Sequence, residues 1–119
     1  MSDEFLKVAT KEINEDISEL EKIISSCKTD ADVISNASAF QKHTHKIKGL
    51  APMMGKQSVG ELCDSLDSIF KKLLDGSKAE GIFKILSDAL PIMKLAMIEP
   101  DYNLTEIKEK ISQIEDILN

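Results

Sequence analysis

From end to end the chain advances in apolar steps of three and four residues, and it has little with which to turn. Phe5, Val8, Ala9, Ile13, Ile17, Leu20, Ile24 and Cys27 keep this rhythm with Glu, Asp and Lys between them, the pattern of a helix with one buried face. Five Gly and three Pro in 119 residues are too few for a fold of many short strands. The length suits one domain, residues 1–119, around a single core. That core must be aliphatic, because there is no Trp, one Tyr and four Phe.

The rhythm breaks into five helices. The first, capped by Ser2, is expected to fade at Lys28-Thr29-Asp30. A second should start soon after Asp30 and reach about Met54, with Val33 or Ile34, Ala37, Phe40, Thr44, Ile47, Ala51 and Met54 facing inward. Gly55 suits its C-terminus, and Pro52 should kink it just before. A third covers roughly Gln57 to Asp75, buries Val59, Leu62, Leu66, Ile69, Phe70 and Leu73, and stops at Gly76. Ser77 and Glu80 form a capping-box pattern for a fourth, from Lys78 to about Ile98, which Pro91 should kink or split. Asn103 and Glu106 should cap a fifth, with Leu104, Ile107, Ile111, Ile114 and Leu118 along its apolar face. Short connections between amphipathic helices imply an all-α fold, an antiparallel up-down four-helix bundle with the C-terminal fifth helix alongside.

A formal net charge of −6 argues against nucleic acid or an anionic membrane as the main partner. No apolar run approaches the ~20 residues of a membrane span. Met1-Ser2-Asp3-Glu4 lacks the basic start of a secretory signal, and Cys27 and Cys63, far apart, read as reduced core thiols. These features lead to the expectation of a soluble, cytoplasmic protein. The charge is uneven, however. Between Val33 and Gly60 there is no Asp or Glu, while Lys42, Lys46, Lys48 and Lys56 give +4, leaving −10 for the remainder. A cationic island in an acidic chain suits a site that handles an anion. All fifteen basic residues are Lys, so no Arg fork can clamp it.

The island contains both histidines. At about 100° per residue, His43 borders the buried stripe of Phe40 and Ile47, whereas His45 points nearly opposite Ile47 with Gln41, Lys48 and Pro52. His43 is therefore read as a core-edge residue. Two histidines diverging by about 200° cannot close on one metal, and the i, i+4 spacing of a zinc helix is absent. An exposed neutral imidazole is a nucleophile near neutral pH. Lys48, one turn along, can neutralise an added phosphoryl group, and Gly49 leaves the approach open although a helical Gly costs about 0.5–1 kcal/mol against Ala.

His45-Lys46-Ile47-Lys48-Gly49, with Gly55 ten places after His45, resembles the H-x-x-K-G signature of histidine-containing phosphotransfer domains. The longer run to Gly55 is most similar to the N-terminal phosphotransfer domain of chemotaxis-type (CheA-type) histidine kinases, and the likeness extends over essentially the whole chain. The resemblance implies that His45 accepts a phosphoryl group from a histidine kinase ATP-binding domain and passes it to an Asp of a response-regulator receiver domain. It further implies a carboxylate facing the phosphoacceptor. Asp67 stands where the family usually has Glu, and Asp64 where it usually has His. A carboxylate holding Nδ1–H would free Nε2 to attack.

The chain has no Walker-type motif or glycine-rich nucleotide lid, nor the acidic Mg²⁺ pocket of a receiver. It is expected to carry no cofactor or metal of its own and to be monomeric, a phosphoryl carrier whose donor and acceptor are other domains. Two other classes compete. One is a helical adaptor that has lost phosphotransfer, for which the two Asp departures leave room. The other is a metal-binding bundle, which would need inward Glu/His pairs that the chain lacks.

Overall fold

Capping side chains, one proline and a few glycines override the apolar rhythm and set where the helices begin and end. In the computed structural model, which describes residues 2–118, six helices follow in order: α1 (Asp3–Ser25), α2 (Asp30–Ser35), α3 (Ala37–Leu50), α4 (Gln57–Leu74), α5 (Ile82–Ile98) and α6 (Thr105–Leu118). A single 3₁₀ turn, Pro52–Met54, joins α3 to α4, and no strand occurs among the described residues. Nor is any helix among them long and apolar enough to cross a membrane.

Ser2 caps α1 by accepting from the Phe5 N–H at 3.1 Å, as its position suggests. At α2 a reciprocal capping box links Thr29 and Asp32. The second expected helix is in fact two. Asn36 sits at φ −106°, ψ 14°, and its side-chain amide donates to the Asp32 carbonyl at 2.9 Å, offering the backbone a local alternative to helix. Pro52 ends the helix rather than kinking it: α3 stops at Leu50, Pro52 opens the 3₁₀ turn, and Gly55 closes it in the left-handed region at φ 82°. Gly76 ends α4 in a Schellman pair of bonds, Gly76 N–H to Leu73 and Ser77 N–H to Lys72.

The start of α5 departs furthest from expectation. Ser77 and Glu80 do not cap it; Gly81, left-handed at φ 87°, precedes a helix that begins only at Ile82. The cap comes from a distant part of the chain. Asp30 on α2 accepts from the Gly81 N–H at 3.0 Å and the Phe83 N–H at 2.8 Å, satisfying donors that a helix start leaves open. Pro91 does not split α5, which runs unbroken through it with the ring on the exposed side. Before α6, Asn103 accepts from the Thr105 N–H at 2.9 Å.

The most extensive helix contact is α3 on α4; α1 packs on α3 and α5, and α6 on α4 and α5. Ile13, Ile17 and Leu20 of α1 meet Phe40 and Ile47 of α3, Leu62, Leu66 and Phe70 of α4, and Leu86 and Leu90 of α5 in one buried cluster. Each such side chain contributes about 1.5–3 kcal/mol on burial. Phe40 and Phe70 stack at 5.2 Å with their planes 9° apart, fixing the first turn of α3 to the last turns of α4.

Gly60 lets α4 approach the α3 end. A Cβ there would lie 2.5 Å from Cγ and 2.8 Å from Cδ of Pro52, a ring that cannot rotate away. Gly60→Ala should therefore destabilise the fold by about 1–2 kcal/mol, overpacking outweighing the roughly 1 kcal/mol helix gain of Ala. Urea unfolding tests this, and an unchanged or raised midpoint would mean that Pro52 shifts aside.

Candidate functional site

Next to the Phe40–Phe70 stack, the two helices carry polar groups toward one carboxylate. Asp67 on α4 is only 1% exposed, and its two oxygens are divided between partners. Oδ1 accepts from Gln41 Nε2 of α3 at 2.7 Å. Oδ2 receives three groups: His45 Nδ1 at 3.5 Å, Lys48 Nζ at 3.4 Å and Lys71 Nζ at 3.2 Å. Burial alone would raise the Asp67 carboxyl, but hydrogen bonds from Gln41, Lys71 and His45 outweigh it and hold the group below the usual carboxylate range.

His45 is 58% exposed, with Nε2 unpartnered among the described residues. At 3.5 Å its contact with Asp67 is longer than an ordinary N–H···O bond. It is close enough to select the Nδ1–H tautomer, since a carboxylate only accepts. Lys48 is held more firmly by Asp64, at 3.1 Å, than by Asp67. The Asp64 bond, joined by Asp67, keeps its ammonium above the usual lysine range against the effect of burial. Asp64 itself is 63% exposed and reaches Lys48, not His45. Gly49 is exposed, and a Cβ added to it would meet nothing within 4 Å.

The other histidine belongs to a separate cluster. His43, 15% exposed, bonds through Nδ1 to Asp16 Oδ1 of α1 at 2.8 Å, and Lys46 reaches the same oxygen at 3.2 Å. Asp16 Oδ2 is buried with no hydrogen-bond partner among the described residues. The two histidines thus face different carboxylates on different helices. No three His, Cys, Asp or Glu gather as a metal-ligand set among the described residues. Cys63 is a buried thiol whose acidity is suppressed by burial, with Sγ 3.8 Å from Met93 Sδ.

Gln41, Lys71 and Asp16 carry more of this arrangement than their sequence positions suggest. Gln41 and Lys71 are each one turn from a site residue, His45 and Asp67, and that spacing is the available signal. Asp16 lies three residues after Ile13 on the apolar face of α1, where a carboxylate needs a partner. The cationic island proves composite: Lys48 joins His45, Lys46 serves Asp16, and Lys56 donates to the Ala96 carbonyl near the end of α5 at 3.2 Å. His45 stands on open surface. The larger cavities lie between α1 and α5, along the first turns of α1 and at the α5–α6 seam.

The depressed Asp67 carboxyl makes a pH signature. Because its folded value lies below the unfolded one, its contribution to stability is present above about pH 4 and is lost as pH falls through the folded value. Asp67→Asn should lower the unfolding midpoint at pH 7, with the gap from wild type narrowing below about pH 4. A gap that stays constant across pH would show that the charge of Asp67 is not what stabilises the fold.

No family model, no curated protein and no solved structure matches the chain in comparisons of sequence and fold.

Proposed function

We propose that this chain is a histidine phosphotransfer module of a cytoplasmic two-component phosphorelay, of the chemotaxis kinase type, with His45 as its phosphoacceptor. The single observation that carries the reading is the pose of His45: an exposed imidazole whose Nδ1 faces the buried Asp67 carboxylate, leaving Nε2 open. In the same reading α1, α3, α4 and α5 make an antiparallel four-helix bundle with α6 alongside. The ring of contacts from α1 to α3, α4, α5 and back to α1 supports it.

The chemistry follows from the pose. With Nδ1–H directed at Asp67, the Nε2 lone pair attacks phosphorus as the bond from phosphorus to the donor's leaving group breaks, that electron pair departing with the leaving group. The ring keeps Nδ1–H and becomes an imidazolium, which the Asp67 carboxylate stabilises. The reverse sequence delivers the phosphoryl group to a carboxylate of the acceptor. Neither ATP chemistry nor the final Asp belongs to this chain, so a histidine kinase ATP-binding domain supplies the group and a response-regulator receiver takes it. The H-x-x-K-G run and the open surface at Gly49 support such partners. A second reading, a helical adaptor without phosphotransfer, draws on the 3.5 Å length of the His45–Asp67 contact.

Incubation with an active chemotaxis-type histidine kinase domain and labelled ATP should place acid-labile, alkali-stable label on the wild type. His45→Gln should abolish it and His43→Gln should retain it; label that survives the first and disappears with the second would move the site to His43. No label from either the kinase or phosphoramidate would favour the adaptor. Gly49→Ala should raise stability by about 0.5–1 kcal/mol, because the added methyl meets nothing, while slowing transfer from the kinase more than from phosphoramidate. Equal rates from both donors would remove any role for Gly49 in partner access.

A further inference from the structure

The two ammoniums at Asp67 are not equivalent. Lys48 touches two carboxylates, Asp64 at 3.1 Å and Asp67 at 3.4 Å. Lys71 touches Asp67 alone, at 3.2 Å, and its side chain is 54% exposed. We infer that Lys71 is the cation that binds the phosphoryl group on His45, while Asp64 holds Lys48 back from that role. This rests on the phosphotransfer reading of His45.

A charge count around Asp67 leads there. In the free protein two carboxylates, Asp64 and Asp67, balance two ammoniums, Lys48 and Lys71. Phosphorylation at Nε2 leaves an imidazolium at Nδ1, against Asp67 Oδ2, and adds a group of about −1.5 to −2 on the outer side of the ring. Asp67 then has a positive ring as partner and needs one ammonium fewer. Lys48 still has Asp64 at the shorter of its two distances, so it stays. Lys71 has no second carboxylate among the described residues, and its flexible four-carbon stem is free to turn outward. It lies one turn after Asp67 on α4, on the face that meets α3, so the move requires side-chain rotation only. Gln41 keeps Oδ1 occupied throughout, so the carboxylate does not follow the lysine.

The test uses the full chain with phosphoramidate as donor, which removes any partner protein. The donor's P–N bond breaks with its electron pair leaving on ammonia as the Nε2–P bond forms. ³¹P NMR across pH then follows the last deprotonation of the phosphoryl group on His45. Lys71→Gln should raise that midpoint by about 0.5–1 unit, since a neighbouring cation favours the dianion. It should also slow phosphorylation about tenfold, the effect of one charge-assisted hydrogen bond. Lys71→Arg should restore both. Adding Asp64→Asn to Lys71→Gln should recover much of the loss by releasing Lys48, a non-additive result. If His45 is phosphorylated but Lys71→Gln leaves the midpoint in place, or Lys48→Gln alone produces the shift, the assignment of Lys71 fails while the phosphotransfer reading stands. If phosphoramidate places nothing on His45, both fall. A lysine that merely neutralises Asp67 would change stability without moving the phosphoryl midpoint.

Discussion

Asp67 is the constraint around which α3 and α4 are arranged. An ionised carboxylate that is 1% exposed is very costly unless donors surround it. Gln41, His45 and Lys48 supply them from α3, and Lys71 from α4 itself. Positions 41, 45 and 48 lie on one face of a helix, so together they define its rotation. Turning α3 by one residue, about 100°, so that Phe40, Thr44 and Ile47 took their places would withdraw all three donors from a buried charge. The Phe40–Phe70 stack gives the same register from the apolar side. A polar cluster and an aromatic pair thus specify one alignment, and that alignment is what puts the His45 ring at the surface with one nitrogen turned inward.

The opposite flank of α3 repeats the pattern with a different result. His43 and Lys46 meet Asp16 of α1 at the same i, i+3 spacing by which His45 and Lys48 meet Asp67. The His43 bond is shorter, 2.8 against 3.5 Å, and the ring is much more enclosed. A firm bond in a closed seam ties α1 to α3; the longer contact at an open surface leaves the His45 ring exposed. Asp16 also keeps one buried oxygen without a partner among the described residues, a cost on the order of 1–3 kcal/mol accepted on the packing side of the helix. Two residues of separation, through helical phase, distinguish an enclosed clamp from an exposed ring.

That phase was legible in the sequence, because it depends only on period and on which positions are apolar. Every inward residue expected on the second helix, from Val33 to Met54, is buried, and His43 and His45 fall on the sides their numbers indicate. The failures share a cause: they depend on groups that meet only after folding. Ser77 and Glu80 satisfied a local capping pattern, yet Asp30 supplies the cap from fifty residues away, which no local window contains. The break at Asn36 turns on a side-chain amide competing for a carbonyl, and the period is blind to that competition. At the site, Asp67 was visible as a carboxylate at a telling position. Its burial and its sharing among four partners were not, since they require α3 and α4 to be laid together.

The two glycines of this region show how fold and site can be separated. Gly60 is explained by packing: Pro52 occupies the space its side chain would need. Gly49 has no such explanation, because nothing lies within 4 Å of a Cβ there and its φ is not in the left-handed region. A helical glycine that the fold does not require costs stability, about 0.5–1 kcal/mol, for no structural return. It stands one turn beyond His45 and is itself exposed. The packing of the chain does not account for this glycine, whereas the proposed phosphotransfer does, since a partner surface would have to come close to the ring. In the phosphotransfer proposal Asp67 orients the ring from within and Gly49 clears its approach from without, so one glycine answers to packing and the other to a partner surface.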